Sequence, residues 1–208
     1  MSLDKGASLF DIGDVVQYAY FPTDGLVSLV ALTAEGGTVE LTTVAREGVV
    51  GLSVLLQATI APHQAMVRLA GAALRLSTHT LRAEIERHEI FRAALLAYAN
   101  RASVEVAQAV VCQCFHSVLQ RLSRWLLMAS DRTGTDTLEL TQESLAQVLG
   151  VLRPVVTKAA IELQDAAAIR YRHGRLFLVN RPILERSACE CYELQRRRAQ
   201  TQPAALDE

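Results

Sequence analysis

The 208-residue chain is defined first by what it lacks. No apolar run approaches the roughly 18 residues that a membrane-spanning helix needs. Residues 1–6 are polar and no cleavable apolar stretch follows, so neither a secretory signal nor a membrane partner is expected. Cysteine is scarce, at four residues, which together with the missing signal predicts a cytoplasmic protein with reduced thiols. No GxGxxG, P-loop or HExxH pattern occurs. His63 and His79 are the only histidines in the first 80 residues, and neither has a second His or Cys at ligand spacing. A metal-dependent cupin therefore lacks its ligands, and the chain reads as a non-enzyme. An excess of one charge is missing too: a net charge of −1 argues against a protein that coats nucleic acid nonspecifically.

What is present is a folded composition, half apolar and 21% charged, long enough for one large domain or two small ones. The charge is unevenly spread. Residues 1–120 hold 8 Lys/Arg and 11 Asp/Glu, residues 121–200 hold 13 and 9, and residues 201–208 add two acids. An acidic front and a basic back fit a sensing or scaffolding part joined to a part that meets phosphate.

The back contains LTQESLAQVLGVLRPVVTKAAIELQDA, residues 140–166. Leu140, Leu145, Val148 and Leu149 make one apolar face; Val156, Ala159, Ala160 and Leu163 make another, both at 3- and 4-residue spacing. Thr141 is placed to cap the first helix, with Ser144 where a capping box would carry Glu or Gln. A tight turn at Gly150 separates the two helices, as in a DNA-binding helix-turn-helix or an ordinary helical hairpin. Residues 169–179 then alternate around a turn at His173-Gly174 and read as a two-stranded wing. Arg170, Arg172 and Arg175 cluster around that turn, well placed for phosphates flanking a groove. Cys189 opens a terminal helix, whose Arg196, Arg197 and Arg198 read as a solvated end.

Ahead of this, residues 15–20, 26–32, 38–44, 64–69 and 73–77 read as short strands separated by turn residues, among them Pro22-Thr23-Asp24-Gly25 and Glu35-Gly36-Gly37. Regular strands of this kind suggest a small antiparallel barrel or sandwich. Thr80 is the expected cap of a short helix ending at His88. A long helix from about Phe91 carries Phe91, Leu95, Tyr98, Ala102, Glu105, Ala109, Cys112, His116 and Leu119 at heptad-like spacing, interrupted by Glu105 and His116. That stripe suits a self-paired dimer helix or one packed on its own barrel. Residues 117–130 continue helical. Cys112 and His116, at i and i+4, supply at most half a metal site, and Cys189 and Cys191 are read the same way; no metal is predicted. The two CxC pairs leave redox sensing open.

The order of these parts resembles the Crp/Fnr family of transcription regulators, the group of the cyclic AMP receptor protein and the fumarate–nitrate regulator. The resemblance is most specific in RLSRWLLMASDR (121–132), in residues 140–180 and in CECY (189–192), and extends to YFPTDGLVSLV (20–30) and REGVVGL (46–52). It implies an α+β fold: an N-terminal antiparallel β-barrel of the jelly-roll, cyclic-nucleotide-binding type, a long dimerisation helix and a C-terminal winged helix-turn-helix. The expected divisions are residues 1–88, 89–130 and 131–200. Against the family pattern the chain starts late, so a shortened barrel is expected.

The family's ligand residues do not carry over. Nucleotide-binding members hold ribose with Gly-Glu and the cyclic phosphate with Arg-Ser or Arg-Thr; here Gly51 is followed by Leu52, and the later stretch contains His63-Gln64. Without those charge-assisted partners cyclic AMP is not expected to bind, and no cofactor is predicted. The N-terminal cysteine cluster of iron–sulfur members is absent from this sequence. The reading helix carries over better: Arg153 matches a guanine-reading Arg, Lys158 a base or phosphate contact, and Thr141 and Gln142 phosphate contacts. Val155 is placed for a thymine methyl, and Thr157 completes the DNA-facing set. Pro154 stands where many members have Glu, which implies a different operator. The resemblance implies double-stranded DNA, a second copy of the chain through the long helix 91–119, and RNA polymerase as partners. The rival is a ligand-binding or cupin-like barrel with a helical protein-interaction module.

Overall fold

A computed structural model describes residues 1–172 and 174–201. Its first half is a five-stranded antiparallel sheet built from β1 (Ser2–Leu3), β2 (Ser8–Phe10), β3 (Tyr18–Leu32), β4 (Thr38–Val44) and β5 (Gln64–Ser77). The order is β1-β5-β3-β4, with β2 also paired to β5. The ladder does not close on itself among the described residues, so the expected barrel is here an antiparallel sheet.

Turn residues predict a division of β3 and of β5 in two, yet both run through. Pro22-Thr23-Asp24-Gly25 does not reverse the chain but bulges it, with register shifts from Pro22 to Val27 opposite β5. Gly25 and Gly71 make this possible. A Cβ on Gly71 would lie 2.3 Å from the Asp24 carbonyl oxygen, and Gly25 adopts φ +82° with its Cβ position 2.7 Å from the Leu69 carbonyl oxygen. Two backbones approach here at a distance only glycine allows. The Glu35-Gly36-Gly37 hairpin joins β3 and β4 as expected, and Val15 lies outside the strand, bridging Ile60.

Helix α1 (Thr78–Arg87) is capped by Ser77 rather than Thr80, the Ser77 hydroxyl accepting from the Thr80 amide at 3.1 Å. Helix α2 (Glu89–Phe115) is the long one, but it stops before Leu119. His116 and Ser117 are extended, and Ser117 starts α3 (Val118–Thr133) with a capping box to Gln120. The hydroxyl and amide of Ser117 satisfy groups at the new helix end, which favours a break over a continuous helix.

The heptad-like stripe of α2 turns inward. Leu95 and Cys112 are buried, and Phe91 and Tyr98 pack on the sheet's core. Its two irregular members have partners: Glu105 accepts from Arg132 of α3 at 2.8 Å, and His116 lies 3.1 Å from Glu190. The opposite face exposes Leu96, Val104, Val110, Val111 and Phe115. Of the two roles that the stripe suits, it takes the second, packing within its own chain.

The second half comprises β6 (Thr137–Leu138), α4 (Gln142–Leu149), α5 (Arg153–Asp165), β7 (Ile169–Arg172), β8 (Arg175–Leu178), α6 (Arg181–Ser187) and α7 (Cys191–Thr201), with its strands ordered β6-β8-β7. Its core of Leu122, Leu126, Leu145, Val156, Leu163 and their neighbours also takes in Leu26, Ala45 and Leu69 from the sheet. Polar contacts cross the same boundary. Trp125 of α3 donates its indole N–H to Glu40 of β4 at 2.6 Å, and buried Arg68 of β5 donates to Gln147 of α4 at 3.4 Å. No single helix is long and apolar enough to cross a membrane among the described residues.

Candidate nucleic-acid interface

The helix-turn-helix forms from local chemistry the sequence displays. The Thr141 hydroxyl accepts from the Ser144 amide at 3.0 Å, and the Ser144 hydroxyl accepts from the Thr141 amide at 3.0 Å. Ser144 thus completes a capping box without the usual longer side chain, a cap that contributes about 1 kcal/mol. Gly150, at φ +61°, ends α4 in the left-handed conformation that glycine adopts without a Cβ penalty. Arg121 secures the same end: largely buried, it donates from Nη1 to the Leu149 carbonyl at 3.1 Å. Pro154 sits in the first turn of α5, where its missing N–H costs nothing.

Leu145, Val148 and Leu149 of α4 pack with Val156, Ala159, Ala160 and Leu163 of α5, as the spacing predicted. That leaves Thr141, Arg153, Pro154, Val155 and Lys158 exposed. Among the described residues Arg153, Lys158 and Arg172 form no ion pair. Gln142 and Thr157 are partly buried and tied to each other, the Thr157 hydroxyl donating to Gln142 Oε1 at 2.8 Å, so this pair joins the two helices.

The wing is the β7–β8 hairpin; Gly174 is in its turn, at φ +74°, while His173 lies outside the described residues. Arg170 and Arg172 are exposed on β7, the guanidinium of Arg170 stacking 5.0 Å from the centroid of the Phe177 ring. Arg175 pairs with Glu139 at 2.8 Å. Both partners are more than half exposed, so the pair contributes little and its guanidinium exchanges readily for another anion. Tyr171 anchors the wing to the motif by donating to the Leu140 carbonyl.

Several organising residues make contacts that the sequence does not announce. Arg121 and Trp125, four apart on the apolar face of α3, reach back to α4 and across to β4. A buried-side Arg beside a Trp was the visible signal. Glu40, Arg68 and Ser28 gave none, since a polar residue on a strand face is ordinarily solvated. Burial pushes the Glu40 carboxyl up from its ordinary value, against the hydrogen bonds from Ser28 and Trp125 and the charge of Arg68. CECY is explained in part by Tyr192, which donates to Asp131 Oδ2 at 2.8 Å and accepts from Arg181 at 2.6 Å, fixing α7 to α3 and α6. Burial raises its hydroxyl to about 12. The half-sets Cys112/His116 and Cys189/Cys191, separated in sequence, meet at the C-terminal end of α2, with their ligand atoms all within 4.8 Å of one another.

Comparison with known proteins gives the arrangement its family. Residues 1–88 match the cyclic nucleotide-binding domain family and residues 120–187 match the Crp-like helix-turn-helix domain family. The fold is similar to that of FixK2 from Bradyrhizobium japonicum, with TM-score 0.77 and 15% identity over 91% of this chain and 96% of that one. It is similar to a CRP-family transcriptional regulator from Thermus thermophilus, with TM-score 0.76 and 18% identity over 90% and 96%. The c-di-GMP responsive global regulator CLP from Xanthomonas campestris follows at TM-score 0.69 and 16% identity over 86% and 93%. A search of curated sequences finds no match. With both matched domains in the family's order on one chain, and the fold shared with solved regulators, the protein belongs to the Crp/Fnr family of DNA-binding transcription regulators.

Proposed function

We propose that the protein acts in the cytoplasm as a two-fold dimer that reads an inverted-repeat operator and contacts RNA polymerase there. The observation that carries this reading is the exposure of Arg153 and Lys158 on α5, unpaired among the described residues, beside a basic wing. Arg153 presents a planar fork that matches guanine O6 and N7, and Lys158 takes an adjacent base or phosphate. Val155, 42% exposed, meets a thymine methyl. Thr141 and the amide nitrogen of Gln142 take phosphate, as do Arg170, Arg172 and Arg175 on the wing. Thr157 serves by holding Gln142 in place. Pro154 removes the acceptor a Glu would offer to cytosine, so the operator differs from that of Glu-bearing relatives.

The second copy is held by the outward face of α2. Leu96, Val104, Val110, Val111 and Phe115 form an exposed apolar row, and two-fold pairing there sets two α5 helices about one DNA turn, ~34 Å, apart. Cyclic AMP is not the effector. Leu52 opens a short 3-10 turn where a ribose-binding Glu would be needed, His63 and Gln64 replace the phosphate ligands, and the Gln64 amide is engaged by Asp11. Selection of bound sequences from a random DNA pool tests the proposal: an inverted repeat with half-site centres about 10 bp apart is expected. Recovery of no motif, or of a lone half-site, overturns it.

A further inference from the structure

Cys112, His116, Cys189 and Cys191 converge from segments up to 79 residues apart, and the DNA-binding reading uses none of them. Cys112 is the last buried residue of α2 and His116 its C-terminal cap; Cys189 precedes α7 and Cys191 is its first residue. All three sulfurs belong to buried residues, and the His116 side chain is 10% exposed.

We propose that these four residues form a tetrahedral Cys3His site for one borderline-soft divalent cation of the zinc class, which staples α7 to the end of α2.

The geometry fits such an ion. Metal–ligand bonds of about 2.3 Å to sulfur and 2.0–2.1 Å to nitrogen at tetrahedral angles put neighbouring ligand atoms roughly 3.6–3.8 Å apart. Cys112 Sγ and Cys189 Sγ are 3.6 Å apart, and Cys191 Sγ and His116 Nδ1 are 3.6 Å apart. Since no pair exceeds 4.8 Å, closing round an ion requires at most about 1 Å of contraction between any two ligand atoms.

The surroundings fit as well. Glu190 Oε1 lies 3.1 Å from His116 Nε2, the carboxylate–histidine relationship that places the proton on Nε2 and leaves Nδ1 a lone pair facing Cys191. Gln108 donates an amide N–H to Cys191 Sγ at 3.1 Å, a bond that strengthens when the sulfur is a thiolate. Arg124, whose charge reaches Cys112 and Cys191, offsets the negative charge left by three thiolates and a divalent ion. Binding releases the three thiol protons to solvent. Thiolate and imidazole ligands exclude the hard cations magnesium and calcium. Iron–sulfur clusters spread their cysteines around several irons, whereas this set encloses room for one ion.

A disulfide between Cys112 and Cys189 is the competing chemistry. It needs the sulfurs at about 2.05 Å and gives no role to Cys191, His116 or the Glu190 contact.

The ion closes the break at His116–Ser117 from behind. Helix α2 ends there and α3 leads into the helix-turn-helix, so occupancy fixes the angle between the long helix and the DNA-binding half.

The test uses the full chain purified with reduced thiols and no chelator after growth with zinc. About one zinc per chain is expected by mass spectrometry. A thiol reagent should find only the exposed Cys114 before chelation and all four cysteines after it. Cobalt substitution should give the visible bands of a tetrahedral thiolate site. Glu190→Gln, on a side chain 69% exposed, should keep the fold and weaken the metal about 10–100-fold. Cys114→Ser should leave stoichiometry unchanged. The proposal is overturned if the reduced wild type takes up neither zinc nor cobalt, or if Cys112→Ser and Cys191→Ser bind as the wild type does. A Cys112–Cys189 disulfide mass without metal also overturns it. Should the cysteine variants fail to fold, Glu190→Gln and the wild-type cobalt spectrum decide. Metal content and thiol count are read without DNA, so failure here is distinct from failure of the operator reading.

Discussion

Trp125 on α3 donates its indole N–H to the Glu40 carboxylate on β4 at 2.6 Å, joining the DNA-binding half to the sheet through a carboxyl that burial holds above its ordinary value. A raised carboxyl means the folded state binds the proton more tightly than the unfolded chain. Stability is then greatest below the ordinary glutamate value and falls as pH rises through the raised one. Glu40→Gln keeps an acceptor for Trp125 and removes the titration. Thermal melts from pH 4 to 8 should show the wild type losing Tm with rising pH relative to the variant. Parallel curves would remove Glu40 as the cause.

Arg153→Ala should cost about 1–3 kcal/mol at one G·C position and flatten the preference there. Arg172→Ala should weaken every sequence alike and reduce the salt slope by about one. Gel shifts over a panel of single-base operator variants at several salt concentrations separate the two. A sequence-independent loss from Arg153→Ala would refute guanine reading.

Replacing Val110 or Leu96 with Glu puts a charge on the outward face of α2 without touching the sheet's core. The expected result is a monomer by sedimentation velocity, with DNA binding reduced to half-site affinity. An unchanged dimer places the seam elsewhere.

Gly71→Ala drives a Cβ to 2.3 Å from the Asp24 carbonyl oxygen, a backbone atom that cannot swing aside. A loss of about 2 kcal/mol or more in urea unfolding is expected, as for overpacking with no flexible neighbour. Gly36→Ala, with open space around it, should cost only the strain of its φ +83°, about 1 kcal/mol.

The sequence was most legible where structure is made locally. The Thr141 cap, the Gly150 turn, the two apolar faces and the wing all depend on neighbours a few residues apart, and each formed where spacing put it. It was least legible where distant groups meet. Pro22-Thr23-Asp24-Gly25 has the composition of a turn, yet it bulges because Gly71 offers β5 backbone at close range, 46 positions on. Glu105 looked like a flaw in a heptad because its partner, Arg132, lies on another helix. His116 interrupts the same stripe for the same reason, its neighbours Glu190 and Cys191 arriving from the far end of the chain.

The inward turn of Glu105 leaves α2 with an outward side almost free of charge. Beyond Arg92, only Arg101 and Glu105 are charged on this helix; Arg101 is spent on the Glu47 carbonyl and the Tyr98 ring, and Glu105 on Arg132. Coiled coils commonly choose partner and alignment by flanking charges. The proposed seam of Leu96, Val104, Val110, Val111 and Phe115 would have no such code, so shape alone would set its alignment and a related chain with a similar helix would be a competent mate. Self-association should therefore be indifferent to ionic strength, while the grip on phosphate is not. Raising the salt would strip the protein from DNA as an intact pair.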